Sequence, residues 1–149
     1  MQHFENAVGD RRLITIRNMK LEDVEEYYKT QFHKENKVTQ EQNIRKLKKR
    51  LKGLMQQKEV YEWILAICTK DGKIIGKMEI YSADAEVASL KIEISNEIWS
   101  FKYGVEAIKQ FVKICTENHY FKKIEMEDNV ITERYRRDYG IQTRFIIVA

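Results

Sequence analysis

The chain has 149 residues, 43% of them hydrophobic and 34% charged, with a formal net charge of +4. That length suits one domain with a sizeable core, and the mildly basic balance fits a polyanionic cofactor or a nucleic acid without selecting between them. No apolar run approaches the roughly 20 residues of a membrane span, and the polar first residues lack a signal-peptide core, so a cytoplasmic protein with no membrane partner is expected.

Residues 1–10 read as a lead-in that ends on a Gly9-Asp10 turn. Residues 12–18 (RLITIRN) alternate as a short strand. Glu22 and Asp23 then open a helix with acid in its first turn, which suits the dipole. It runs to about His33, with Val24, Tyr27, Tyr28 and Phe32 on one side. A second helix follows Thr39, an N-cap residue type, and reaches about Gln57. Ile44, Leu47, Leu51 and Leu54 mark its buried stripe. Its other face carries Arg45, Lys46, Lys48, Lys49, Arg50 and Lys52. No aromatic residue interleaves with these charges, which argues for a solvated face over a nucleic-acid surface.

Residues 61–69 (YEWILAICT) form a near-continuous apolar run and read as a central strand. Asp71-Gly72 is a hairpin signal. Residues 73–81 return as a strand with Ile74, Gly76, Met78 and Ile80 on one face. After a loop over 82–86, Ala88, Leu90, Ile92 and Ile94 alternate as a third antiparallel strand of a meander. Val105, Ile108, Phe111, Val112 and Cys115 then recur at helical spacing. Between them, residues 95–104 read as a turn that delivers backbone N–H groups to a helix start, and a helix start favours anions. Residues 123–127 (KIEME) make another strand, completing the length of a βαβ unit. A short helix follows Asn129, and residues 144–149 close the chain as one strand. Cys68 and Cys115 sit in apolar patterns without a disulfide framework. His3, His33 and His119 lack metal-ligand spacing, so no metal is expected.

Several of these stretches resemble the GNAT superfamily of acyl-CoA-dependent N-acetyltransferases, and most closely its branch of ribosomal-protein N-terminal acetyltransferases. The family's strand-turn-helix reads Q/R-x-x-G-x-G/A, and in that branch often W-G-K-G-Y-A-T-E-A. Here Trp99, Tyr103, Glu106 and Ala107 match it without a gap, and Gly104 fills the small-residue position. Ser100 and Lys102 stand where the family has glycines that let the backbone approach a pyrophosphate. RLITIR followed by EDVEEYY resembles the family's opening strand and helix, and Gly72 to Gly76 resembles its hairpin. The second motif, N-x-x-S/A-x-x-L/V-Y/L-x-K-L-G-F, is matched by Asn129, Thr132, Tyr135, Tyr139, Gly140 and Ile141.

The resemblance implies an α+β fold with a mixed, mostly antiparallel sheet flanked by helices on both faces, in the order β-α-α-β-β-β-α-β-α-β. It implies one domain over 1–149 that moves an acetyl group from acetyl-CoA to a primary amine of a small molecule or peptide. The pantetheine arm would lie beside Ile94 and Asn96. The pyrophosphate would rest on Phe101, Lys102, Tyr103, Gly104 and Val105, and Asn129 would contact the cofactor or cap its helix. Similar enzymes use a glutamate base, here Glu93 first, then Glu125 and Glu127. Arg136 falls where many members place the tyrosine that protonates the thiolate and would contact the cofactor, and Tyr135, adjacent but about 100° away on a helix, is the candidate acid. The family has two strands after the last helix where one is read here, so either a partner chain completes the sheet as a homodimer, the favoured expectation, or the C-terminus is trimmed. Two other readings stay open: a GNAT-fold binding or interaction module without catalysis, and a basic nucleic-acid-binding domain using residues 39–57.

Overall fold

The computed structural model describes residues 13–30, 36–57 and 61–148. The expected Gly9-Asp10 turn, Phe32 and His33 lie outside them. The elements are β1 (Ile14–Asn18), α1 (Asp23–Thr30), α2 (Lys37–Met55), β2 (Glu62–Thr69), β3 (Ile74–Tyr81), β4 (Val87–Glu93), α3 (Glu97–Asn118), β5 (Lys123–Met126), α4 (Val130–Asp138) and β6 (Phe145–Ile147). This is the order expected from the sequence. One six-stranded sheet runs β1-β2-β3-β4-β5-β6 in space. Every neighbouring pair is antiparallel except β4 and β5, which are parallel because α3 crosses over between them.

Each face of the sheet carries its own core. Leu65, Ile67, Met78, Ile80, Leu90 and Ile92 pack against Ala107, Ile108, Phe111 and Cys115 of α3. Phe111 is fully buried, and removing such a side chain from water stabilises by about 2–3 kcal/mol. On the other face Ile64, Ala66 and Cys68 pack against Val24 and Tyr27 of α1 and Leu47 and Leu51 of α2. β2 is covered on both faces, which explains its unbroken apolar run.

Three local details differ from the sequence reading. The N-cap of α2 is Asn36, whose side chain accepts the Thr39 amide, so the helix starts before Thr39. In the β2–β3 hairpin, Ile67 faces Gly76 but Cys68 faces Ile74, leaving Ile75 as an extra residue. That bulge turns Ile74 to the α1–α2 face, away from Met78 and Ile80. The third concerns α3. It begins at Glu97, not after residue 104, because Asn96 caps it and no glycine at 100 or 102 interrupts it. Phe101, Lys102, Tyr103, Gly104 and Val105 therefore lie inside a helix, where the i to i−4 ladder uses their amides.

Candidate functional site

The sheet splits where its one parallel pair ends. β4 and β5 are in register from Val87 and Lys123 to Leu90 and Met126. The Glu127 amide still reaches the Leu90 carbonyl at 2.9 Å. Beyond that, Asn129 bridges the gap: its Nδ2 donates to the Ile92 carbonyl at 2.9 Å. The same side chain accepts the Thr132 amide, and Thr132 Oγ1 accepts the Asn129 amide. This capping box anchors the start of α4 to the end of β4.

A cleft of about 500 Å³ opens at this split. Ile92, Glu93 and Ile94 form one wall. Glu97, Ser100 and Phe101 come from the first turns of α3, and Asn129, Val130, Ile131 and Arg134 from α4. Gly76 on β3 allows the end of β4 to sit where it does. A Cβ on Gly76 would lie 2.6 Å from the Glu93 carbonyl oxygen and from Ile94 Cγ1, closer than real Cβ contacts allow.

Glu93 is the last residue of β4 and pairs with Lys77 across the ladder, so both side chains emerge on the α1–α2 face. Tyr27 Oη of α1 donates to Glu93 Oε1 at 2.5 Å. Burial, then the Glu93 carboxylate, pushes the Tyr27 phenol far above its usual range, so it remains a donor. Lys77 is almost wholly buried, with Nζ 3.3 Å from Glu79 Oε2 and 4.0 Å from Glu93 Oε2. Burial alone would raise the Glu79 carboxyl, but Lys77 and Arg50 hold it below its usual range. Arg50 also bonds Glu62 Oε2 at 2.9 Å, and Lys48 bonds Glu25. Two cations of the α2 basic stripe are thus tied to carboxylates, while Arg45, Lys46 and Lys49 line a separate outer hollow.

Of the residues singled out from the sequence, Glu93, Ile94, Phe101 and Asn129 line the cleft together. Asn96 instead caps α3, accepting the amides of Ile98 at 3.0 Å and Trp99 at 3.1 Å. Lys102 lines a shallower neighbouring hollow with Ile98, and its Nζ lies 5.1 Å from the Tyr103 ring centre. Tyr103 and Val105 are half-buried on α3. Gly104 is buried at the crossing of α3 and α4, where a Cβ would meet Ile131 Cγ2 at 2.7 Å. Tyr135 faces the core, with its ring 4.7 Å from that of Tyr139, and does not line the cleft. The reason is helix phase: the cleft wall of α4 is formed by Val130, Ile131 and Arg134. Arg136 turns to the far side of α4, bonding the Gln142 carbonyl at 3.1 Å and Asp128 at 3.4 Å. Glu125 faces Arg144 at 4.0 Å, and Glu127 lines a groove beside Glu79 and Lys91, so neither reaches the cleft.

Sequence reasoning missed Tyr27, Lys77, Glu97 and Arg134. Tyr27 was legible as apolar-face packing, but its reach to a strand far along the chain was not. Arg134 carries no motif signal; only the tilt of α4 against α3 turns it into the cleft. Chemically, the cleft offers, among the described residues, apolar walls for a flexible chain and one cation, and its wall residue Glu93 carries a carboxylate fixed by a phenol on the α1–α2 side.

Residues 13–132 match the sequence model of the acetyltransferase (GNAT) domain. No curated protein matches the chain significantly. Among solved structures, a chimera of the Vibrio cholerae spermidine N-acetyltransferase SpeG with hSSAT aligns with a TM-score of 0.65 at 13% identity, covering 87% of this chain and 78% of that one. The ribosomal-protein-S5-alanine acetyltransferase of Vibrio fischeri gives 0.62 at 12% identity, covering 91% and 82%. Mycobacterium smegmatis RimJ, in complex with CoA-disulfide, gives 0.66 at 11% identity, covering 85% and 69%. At such identities these likenesses concern the fold.

Proposed function

Because the chain belongs to the GNAT family of N-acetyltransferases, we propose that it transfers an acetyl group from acetyl-CoA to an amine at the split between β4 and β5. The observation that carries this reading is Glu93, a residue of the cleft wall whose carboxylate is held by Tyr27 on the α1–α2 side of the split. Two structural neighbours support it by their contents: RimJ was solved with CoA-disulfide, and the V. cholerae spermidine N-acetyltransferase with CoA and spermine.

The residues present fit an acyl-CoA. Ile92, Ile94, Val130 and Ile131 make apolar walls suited to a pantetheine arm, and Arg134 lies at the mouth for a negatively charged end. When bound, acetyl-CoA supplies an activated thioester carbonyl. Ile94 stands past the last registered pair of β3 and β4, and its amide would be the candidate donor for the carbonyl oxygen. An alkyl amine with a pKa of about 10 arrives protonated at neutral pH and must lose a proton before it attacks. Glu93 takes that proton on the α1–α2 side, where the acceptor enters. Tyr27 orients the carboxylate through Oε1, and the amine would approach Oε2, which lies 4.0 Å from Lys77 Nζ. Tyr135 is turned into the core and is not placed to protonate the departing thiolate, which would draw its proton from solvent.

The acceptor is a small-molecule or peptide amine. Calorimetry with acetyl-CoA, followed by thiol release in the presence of spermidine, an amino sugar phosphate and a peptide N-terminus, tests the reading. Binding together with amine-dependent thiol release supports it. Absence of acetyl-CoA binding overturns it and favours a GNAT-fold interaction module.

A further inference from the structure

Among the described residues, the cleft is lined by two acidic residues, Glu93 and Glu97, and by a single cation. Among the described residues, Arg134 is the only positively charged side chain that lines it. Arg134 Nη1 donates to the carbonyls of Ser100 at 3.3 Å and Phe101 at 3.4 Å. Its guanidinium carbon lies 4.7 Å from the centre of the Phe101 ring. Among the described residues, no carboxylate pairs with it, and Nε and Nη2 have no protein partner. A guanidinium laid on an aromatic face, with one edge tied to carbonyls, presents its other edge in the fork geometry that binds a phosphate bidentately.

The backbone around it offers little for the same purpose. α3 runs unbroken from Glu97. The Ile98 and Trp99 amides are taken by Asn96 Oδ1, and the Ser100 amide by the Asn96 carbonyl at 2.7 Å. No row of open N–H groups remains between residues 98 and 105 to cradle an anion. Lys102, whose head lies over Tyr103, faces the neighbouring hollow.

We propose that Arg134 binds the diphosphate of the acyl-CoA, so that a side chain on α4 performs the anchoring for which α3 has no free amides. This rests on the acyl-CoA reading above. Phe101 holds the guanidinium at the mouth, and the apolar walls behind it guide the pantetheine arm towards Glu93. Glu97, in the first turn of α3, lines the same cleft and opposes the diphosphate charge. The two side chains therefore set cofactor affinity in opposite directions.

The test compares acetyl-CoA by calorimetry with S-acetyl-pantetheine, which has no phosphate, by NMR titration. Arg134→Gln is expected to weaken acetyl-CoA binding about tenfold or more and leave S-acetyl-pantetheine unchanged. Arg134→Lys should recover part of the loss, and Glu97→Gln should tighten acetyl-CoA alone. Equal weakening of both ligands in Arg134→Gln, or no change in either, overturns the proposal. So does a native chain that binds the two ligands equally well. A native chain that binds neither overturns the acyl-CoA reading itself.

Discussion

Tyr27 Oη and Glu93 Oε1 are 2.5 Å apart although 66 positions separate them in the chain. The bond joins the first helix to the end of the strand where the sheet splits. It also couples acceptor-side packing to the carboxylate proposed as base. Removing the donor while keeping the ring should therefore affect stability and its alkaline limb together.

Tyr27→Phe is expected to cost about 1 kcal/mol at neutral pH, since a half-buried carboxylate loses the donor of a buried phenol. The folded-state pKa of Tyr27 is raised. Its contribution is thus complete below the unfolded value of about 10 and declines as pH rises past it. Denaturant melts at pH 8 and pH 11 should show a smaller alkaline loss in Tyr27→Phe than in the native chain. Equal losses would remove Tyr27 from the account.

Glu93→Gln keeps the shape of the side chain and removes its basicity. The expected fall in kcat/KM for the amine is about 10²- to 10⁴-fold, with acetyl-CoA affinity unchanged by calorimetry. A fall confined to KM would give Glu93 a binding role instead.

Gly104 and Gly76 separate two kinds of close approach. A Cβ at Gly104 meets the Ile131 side chain, whereas one at Gly76 meets the Glu93 carbonyl. Gly104→Ala should destabilise by about 1–3 kcal/mol, as overpacking does, and Ile131→Ala, which removes the clashing Cγ2 and Cγ1, should show favourable coupling to it in a double-mutant cycle. For Gly76→Ala no side-chain trimming at Ile94 should fully restore stability, because the carbonyl stays. Urea melts of the single and double variants decide both.

Asp23 is buried and bonds Arg17 Nη1 at 2.5 Å, Arg17 Nη2 at 3.0 Å and the Lys20 amide at 2.7 Å. Burial alone would raise its carboxyl, but Arg17 and the Lys20 amide hold it below the usual range. A lowered folded pKa gives stability that is present above the unfolded value of about 3.9 and is lost as pH falls below it. Asp23→Asn should flatten the acid limb of stability between about pH 4 and pH 2. An unchanged limb would mean that the pair is not coupled to folding.

Much of the fold was legible because its signals are local. The alternation of Ile14 and Ile16, the Asp71-Gly72 turn, the apolar run of β2 and the helical spacing of Ile108, Phe111 and Cys115 each report burial within a few residues. The start of α3 was misplaced because its helical spacing was read only from Val105 onward, and residues 95–104 as a turn. The local signal at Asn96, a strong N-cap, was the better guide. The bulge at Ile75 had no comparable mark, since it depends on register with a partner strand.

By itself the sequence determined the order of the elements, because periodicity and turn chemistry act over short spans, while the candidacy of Glu93 came from the family resemblance. Tertiary structure decided which charges meet. Tyr27 reaches Glu93, Lys77 is enclosed between two carboxylates, Arg134 rather than Tyr135 faces the cleft, and Gly104 serves a helix crossing rather than a ligand loop. Each depends on the distance and tilt between elements far apart in the chain. Side-chain direction on a helix follows a 3.6-residue phase, so a neighbouring position or a small rotation reassigns which residue can touch the site.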